Sequence, residues 1–378
     1  MDPINQNKSN GADLSPQNGN SKDNNNSITS DKLDLLIKKI SETKLPQDLR
    51  ENLNERTERL KLMRLGNGYA SSSYINELES NSTYINWILD LPWYSDSQDI
   101  LDLKNAKEVL DKNHYGLDNV KDRILEYLAE IILNAKNPSS TGIKSPILCL
   151  VGLAGTGKTT LASSIAESLG RKFERIPFGG MGDARALRGQ SKAFADAEPG
   201  YVIKKLVNAK TKNAVILLDE LDRVSEAARA DIMGVLIELL DPEQNKNFTD
   251  HYIDYPFDLS NIIFVSTANN TNNISTAVLD RLEIIQMPSY TDEEKIVIGK
   301  NYLFPKLRLQ TGLNPSQLQI ADDIWVDVIR PLGFDSGIRS LQRTIESMCR
   351  KVARQIVEGK VQTVIITRDN LKEYLPTW

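Results

Sequence analysis

Gly152-Leu-Ala-Gly155-Thr156-Gly157-Lys158-Thr159 is the stretch that decides the fold. It satisfies G-x-x-x-x-G-K-[ST] at every fixed position. An apolar run at 147–151 precedes it and a helical pattern at 159–169 follows, the strand–loop–helix setting the motif requires. Glycines let the backbone curl until successive N–H groups face one hollow, and the start of the helix adds its positive end. Lys158 is placed to reach the outer phosphates of ATP, and Thr159 to ligate Mg2+ through its hydroxyl. Gly152, Gly155, Thr156, Gly157 and Thr160 complete the expected cradle. A glycine turn before a purely structural helix is the plainer alternative.

A second apolar run, 215–218, ends in Asp219-Glu220. Ligands of open α/β sheets bind at the C-terminal ends of strands, where this run delivers two carboxylates. Asp219 suits Mg2+ and Glu220 suits the role of general base toward water. Alone, the pair reads as a solvated loop; following the Gly152 loop in order, it favours hydrolysis over binding alone. At the end of the run 262–267, Asn269 is expected beside the terminal phosphate to orient water. Asn270 or an ordinary loop Asn are the alternatives.

The wider pattern agrees with an α/β P-loop core. Short apolar runs at 147–151, 173–176, 215–218, 262–267 and 284–287 are separated by helical stretches, which predicts a mostly parallel sheet covered on both faces. Helical periodicity then dominates 293–357, followed by a strand at 361–366. Upstream, apolar residues recur at helical spacing through 31–100, with Ser30 or Asp31 as the cap of the first helix. The expected organisation is a disordered Asn/Ser-rich tail at 1–30, a helical module at 31–100, bridging helices at 101–140, the nucleotide-binding core at 141–290 and a helical lid with a short C-terminal strand at 291–378.

Composition narrows the class. The 378 residues are 40% hydrophobic and 26% charged, with a formal net charge of -5, which argues against wholesale coating of nucleic acid. No run approaches the ~18 apolar residues of a membrane span, and no signal core opens the chain, so a cytoplasmic location is expected. Cys149 and Cys349 read as buried reduced thiols, and His114 and His251 are too scattered for a zinc site.

Longer phrases carry a family likeness. They include Leu-Pro-Trp93-Tyr94, Lys112-Asn-His-Tyr-Gly-Leu-Asp-Asn-Val-Lys121, Leu240-Asp-Pro-Glu-Gln-Asn245, Phe248-Thr-Asp-His-Tyr252, Val278-Leu-Asp-Arg-Leu-Glu283 and Gly337-Ile-Arg339. On these the chain resembles the AAA+ ATPase half of the Lon protease family over most of 31–375. The resemblance implies a homo-oligomer, a hexameric ring, that grips unfolded or misfolded polypeptide and draws it through a central pore. By position, Arg281 matches the finger that reaches a neighbouring subunit's phosphate, and Arg339 the lid arginine that senses nucleotide. Taken singly, either arginine reads as a surface ion pair. Phe194 matches the aromatic that contacts substrate in the pore, against the alternative of a core Phe.

Four departures stand out. The loop reads Gly-Leu-Ala-Gly where the family has Gly-Pro-Pro-Gly; Ala195-Asp196 replace Ile-Gly; Arg229-Ala-Asp-Ile replaces Arg-Gly-Asp-Pro. The sequence also ends at Trp378, about where the family enters its proteolytic domain, so no intrinsic peptidase is expected. The opening Met1 favours a short protein over a fragment. The leading expectation is a protein-remodelling ATPase. A nucleotide-binding scaffold subunit, working with a separate protease or a full-length Lon-like partner, is the alternative. A DNA-associated ATPase, with Lys204, Lys205, Lys210, Lys212, Arg343, Arg350 and Lys351 as footprint, is the third.

Overall fold

The computed structural model describes residues 21–67, 71–137, 146–194, 196–329 and 337–376. They fall into two compact units divided between Asp90 and Leu91. The first holds α1 (Ser21–Glu42), α2 (Gln47–Asn67) and α3 (Ser72–Asp90). Leu33, Leu60, Tyr74 and Leu78 form its core, and the Arg56 guanidinium lies 4.8 Å from the centre of the Tyr84 ring. The tail expected at 1–30 needs correction. Helix α1 already runs at Ser21, so Ser30 and Asp31 are inside it rather than at its cap. Once Leu33, Leu36 and Ile40 anchor a helix by burial, upstream turns extend it without a new nucleus. Residues 1–20 lie outside the described residues.

The second unit opens with α4 (Leu103–Asn113) and α5 (Asp118–Lys136). These helices, expected as a bridge, are part of the nucleotide-binding core. Ala106, Leu110, Ile124 and Leu128 pack in one cluster with Leu148, Leu161 and Val265. Each Leu, Ile or Val among them contributes about 1.5–3 kcal/mol on burial. The sheet is built from β1 (Ile147–Val151), β2 (Phe173–Pro177), β3 (Val215–Asp219), β6 (Ile263–Ala268) and β7 (Leu282–Gln286), in the order β2-β3-β6-β1-β7. Every neighbouring pair is parallel. Strands β1, β3 and β6 are buried throughout, and the parallel pairing opens all five C-terminal ends on one edge. Helices α6 (Lys158–Leu169), α7 (Arg185–Arg188), α8 (Tyr201–Ala209), α9 (Arg229–Leu240) and α10 (Thr276–Leu279) connect them. A hairpin of β4 (Phe248–Thr249) and β5 (Pro256–Phe257) projects between β3 and β6, with Trp93 packed against Tyr255 and Phe257. The fold is therefore an α/β core on a five-stranded parallel sheet, as expected.

The lid follows as α11 (Asp292–Ile298), α12 (Phe304–Gln310), β8 (Leu318–Ile320), α13 (Trp325–Ile329), α14 (Arg339–Val357), β9 (Val364–Ile366) and α15 (Leu371–Tyr374). A π-helical stretch, Gly299–Leu303, joins α11 to α12 just ahead of Pro305, whose missing N–H suits a widened turn. The strand expected at 361–366 is shorter and has a partner: β8 and β9 pair in parallel. Trp325, Phe304, Ile345, Met348 and Cys349 form the lid core. Burial raises the pKa of both Cys149 and Cys349 to about 11. Among the described residues, no helix is long and apolar enough to cross a membrane.

Candidate active site

β1 leaves the sheet at Val151, and the loop turns directly into α6. Gly155 and Gly157 have φ of +84° and +92°, conformations open to glycine and strained for other residues. Gly152 is needed for space: a Cβ there would stand 2.7 Å from Met287 Cβ. Gly157 caps α6 and lends no side-chain acceptor, so the first N–H groups of the helix are left for an anion. The Thr156 hydroxyl donates to Leu153 O at 2.9 Å and that of Thr160 to Gly157 O at 2.8 Å. Both threonines therefore brace the loop from within, while Thr159 is exposed on the first turn of α6.

Lys158 is nearly buried, and its ammonium donates to Gly152 O at 2.6 Å, Leu153 O at 3.0 Å and Asn269 Oδ1 at 3.3 Å. Burial lowers its pKa, against the raising pull of Asp222, Asp219 and Glu220. Asn269 is held in turn by Asp222, whose carboxylate accepts the Asn269 backbone N–H at 3.0 Å and its amide Nδ2 at 3.4 Å. That pairing points the amide oxygen at Lys158. Asn270 instead accepts the N–H of Asn272 within the following turn. Asp222 escaped the sequence reading; its place three residues past Asp219 was the available signal.

Asp219, the last residue of β3, is buried. One carboxylate oxygen accepts the Thr267 hydroxyl at 2.5 Å; the other accepts Nε and Nη2 of Arg175 from β2 at 2.7 and 2.6 Å. Glu220 follows with φ +61° and ψ +51°, and its side chain makes a loose pair with Arg223 at 3.4 Å. Its carboxylate lies over Gly179, where an added Cβ would stand 2.8 Å from Glu220 Oε2. Arg175 and Gly179 also escaped the sequence reading, because only strand register brings β2 beside the end of β3.

The remaining expected residues lie elsewhere. Arg281 precedes β7 at the N-terminal edge of the sheet, where its own carbonyl accepts the Ile147 N–H. Its guanidinium donates to Ala277 O at 2.8 Å and Asp241 Oδ2 at 3.0 Å. A five-residue strand, at about 3.3 Å per residue, separates it from this chain's own phosphate loop. Arg339 is at the loop: Ile338 N–H donates to Gly155 O at 3.1 Å, and a Cβ on Gly155 would meet Arg339 Cβ at 3.2 Å. The lid helix α14 thus begins against the phosphate loop. Phe194 is 59% exposed, which removes the core alternative. Of the basic residues, Lys204 pairs with Glu198, Lys205 with Glu174 and Arg350 with Glu346, while Lys351 donates to backbone carbonyls. Those four cations are engaged within the chain.

The components fit a nucleotide and its metal. An uncapped helix start, a lysine resting on two loop carbonyls and the Asn269 amide oxygen, an exposed threonine hydroxyl and a buried carboxylate are the donor set of a phosphate–Mg2+ site.

Residues 148–290 match the description of the ATPase family associated with various cellular activities (AAA), and residues 310–365 match the Lon protease AAA+ ATPase lid domain. The chain is 43% identical over 336 residues to a Lon protease from Lawsonia intracellularis, covering 89% of this chain and 39% of that protein. A Lon protease from Elusimicrobium minutum is 41% identical over 343 residues, 91% of this chain and 40% of the relative. One from Desulfatibacillum aliphaticivorans is 44% identical over 293 residues, 78% of this chain and 35% of the relative. The chain spans about two fifths of the length of these relatives.

Proposed function

We propose that this chain, which carries the AAA domain and Lon-type lid that make up the ATPase region of the Lon family, hydrolyses ATP and spends the energy on moving or unfolding polypeptide. The observation that carries the proposal is the convergence at one sheet edge of Lys158, Asn269 and Asp222, joined by hydrogen bonds of 3.0–3.4 Å, with Asp219 and Glu220, joined through the Thr267 hydroxyl at 2.5 and 2.9 Å. Phosphate oxygens replace Gly152 O and Leu153 O as acceptors for Lys158, so ligand binding releases the lysine from its loop. Thr159 and Asp219 would hold Mg2+, which supplies neutralisation of the charge that builds on the phosphates. Glu220 takes the proton of the attacking water, and the Asn269 amide orients that water. Thr156 and Thr160 support this site by fixing the loop.

Arg281 belongs to a different site. It is bound at the opposite edge of the sheet, so it acts on the nucleotide of a second copy, and turnover requires assembly; a hexameric ring is the proposed form. Arg339, seated where the lid touches Gly155, transmits nucleotide state to the lid. The exposed Phe194 ring offers broad apolar contact to extended polypeptide whatever its sequence.

The test is steady-state ATP hydrolysis across a protein concentration series, with and without a permanently unfolded polypeptide. Specific activity is expected to rise with concentration and with polypeptide. Tight ATP binding with no turnover at any concentration would refute the reading.

A further inference from the structure

The two acidic residues at the end of β3 share one hydroxyl. Thr267 lies on β6, the strand beside β3, and is fully buried. Its Oγ1 donates to Asp219 Oδ1 at 2.5 Å and accepts the backbone N–H of Glu220 at 2.9 Å. The directions are forced: a backbone N–H can only donate, so the single hydroxyl proton goes to the carboxylate. The second bond pins Glu220 in a left-handed conformation, φ +61° and ψ +51°, which disfavours side chains and persists only where surroundings hold it.

The other partner of Asp219 differs in kind. The Arg175 side chain is 52% exposed, so water competes for it and it can leave when a metal approaches. Thr267 cannot leave. Burial would strand both the hydroxyl and the Glu220 N–H without a partner. Thr267 is the fixed side of a clamp whose other side is removable.

We propose that Thr267 is a positioning residue for hydrolysis, its buried hydroxyl setting the Asp219 carboxylate and the Glu220 backbone in one register. This rests on the reading of Asp219 and Glu220 as the catalytic pair.

The experiment compares Thr267→Val, Thr267→Ser, Thr267→Cys and Glu220→Gln in the full chain. Three quantities are read: kcat and KM for ATP, equilibrium affinity for a non-hydrolysable ATP analogue across a Mg2+ titration, and melting temperature. Val keeps the shape of Thr and removes the hydroxyl. It is expected to lose about tenfold or more in kcat, the scale set by one charge-assisted hydrogen bond at a reacting group. Analogue affinity at saturating Mg2+ should stay within about threefold, with the Mg2+ midpoint shifted upward. Ser should keep kcat within about twofold, since it restores both bonds.

Wild-type kcat in Thr267→Val beside an inactive Glu220→Gln would overturn the proposal, and so would a Ser variant as slow as Val. Should Val fail to fold, Cys decides. Its thiol is a weaker donor, so kcat should fall between Ser and an inactive chain, and equality with Ser overturns the proposal. Full turnover by Glu220→Gln would bring down the catalytic pair itself, and Thr267 with it.

Discussion

The two edges of one parallel sheet handle polar groups in opposite ways. At the N-terminal edge, Arg171 donates to both Asp99 oxygens at 2.9 and 2.6 Å and to Asn261 O at 2.8 Å. Asn213 there exchanges hydrogen bonds with Ser97 and donates through Nδ2 to Asp99. These groups line an open pocket of about 480 Å3 together with Leu101, Ile131 and Asn134. Arg171, Asp99, Asn213 and Ser97 satisfy one another, and the result fastens residues 96–101 to the starts of β2, β3 and β6. At the C-terminal edge donors and acceptors do not balance. The α6 start has no side-chain cap, Thr159 is open, and Lys158 rests on carbonyls that a phosphate can replace. A polar cluster that satisfies itself is architecture. One left with spare capacity, at the edge where α/β sheets bind ligands, is a site.

The sharpest way to break this comparison is to remove chemistry from the C-terminal edge alone. Glu220→Gln should cut kcat by about 10²–10⁴, the range for loss of a general base, while ATP-analogue affinity and melting temperature hold. Steady-state hydrolysis beside equilibrium binding checks this. A comparable loss of binding would mean that Glu220 is part of the cradle rather than the chemistry.

Arg281 tests the proposed link between the edges of two copies. Arg281→Ala should lower specific activity by about 10²–10³ and leave nucleotide binding in place. The stronger check mixes Arg281→Ala with Glu220→Gln chains. A site made of the first chain's Glu220 and the second chain's arginine is complete, so the mixture should exceed either variant alone. Strict additivity would return Arg281 to its ion pair with Asp241, a contact of 3.0 Å, and make it architecture like its neighbours.

What could be read without coordinates was what lies contiguous in the chain. The Gly152 loop, the strand into Asp219 and the lid phrase at Gly337 each carry their meaning within a few residues, so the fold class and the phosphate cradle were legible. Thr267, Asp222, Arg175 and Gly179 were not. Each gains its role from a strand partner 40 or more residues away, such as Asp219 for Arg175 and Thr267, and register is invisible to local periodicity. Strands β4 and β5 have two residues each, too short for any alternation to show. Helices α4 and α5 looked like a bridge because amphipathicity shows that a face is buried without saying against what.

The N-terminal edge should respond in stability and not in rate. Asp99→Asn leaves one carbonyl oxygen for Arg171 and removes the charge from a largely buried pair. Broken buried pairs cost about 3 kcal/mol because a charge is left uncompensated. The urea midpoint should fall accordingly, with kcat at 25 °C within about twofold of the unaltered chain. A drop in kcat with the midpoint unmoved would show that this edge also takes part in turnover.

His114 gives the smallest effect and lies behind the site, on the flank of α6. Its Nε2 sits 2.9 Å from the Ser164 hydroxyl. Burial, and then the charge of Lys121, push its pKa down to about 4 from an ordinary value of 6.5. The unfolded chain therefore takes up a proton below pH 6.5 that the folded chain refuses until about pH 4. The stabilisation is complete above the upper value and is lost as pH falls through this window. Between pH 7 and pH 5 the loss is about 1–2 kcal/mol. Urea melts at the two pH values should show it, and Thr160, whose backbone bonds the ring, lies close enough that the phosphate loop would register a charged His114. In His114→Gln that part of the slope disappears while the carboxylates keep theirs. If the slope survives unchanged, His114 is solvated in solution, and the packing of α4 against α6 is looser than the balanced contacts at the N-terminal edge.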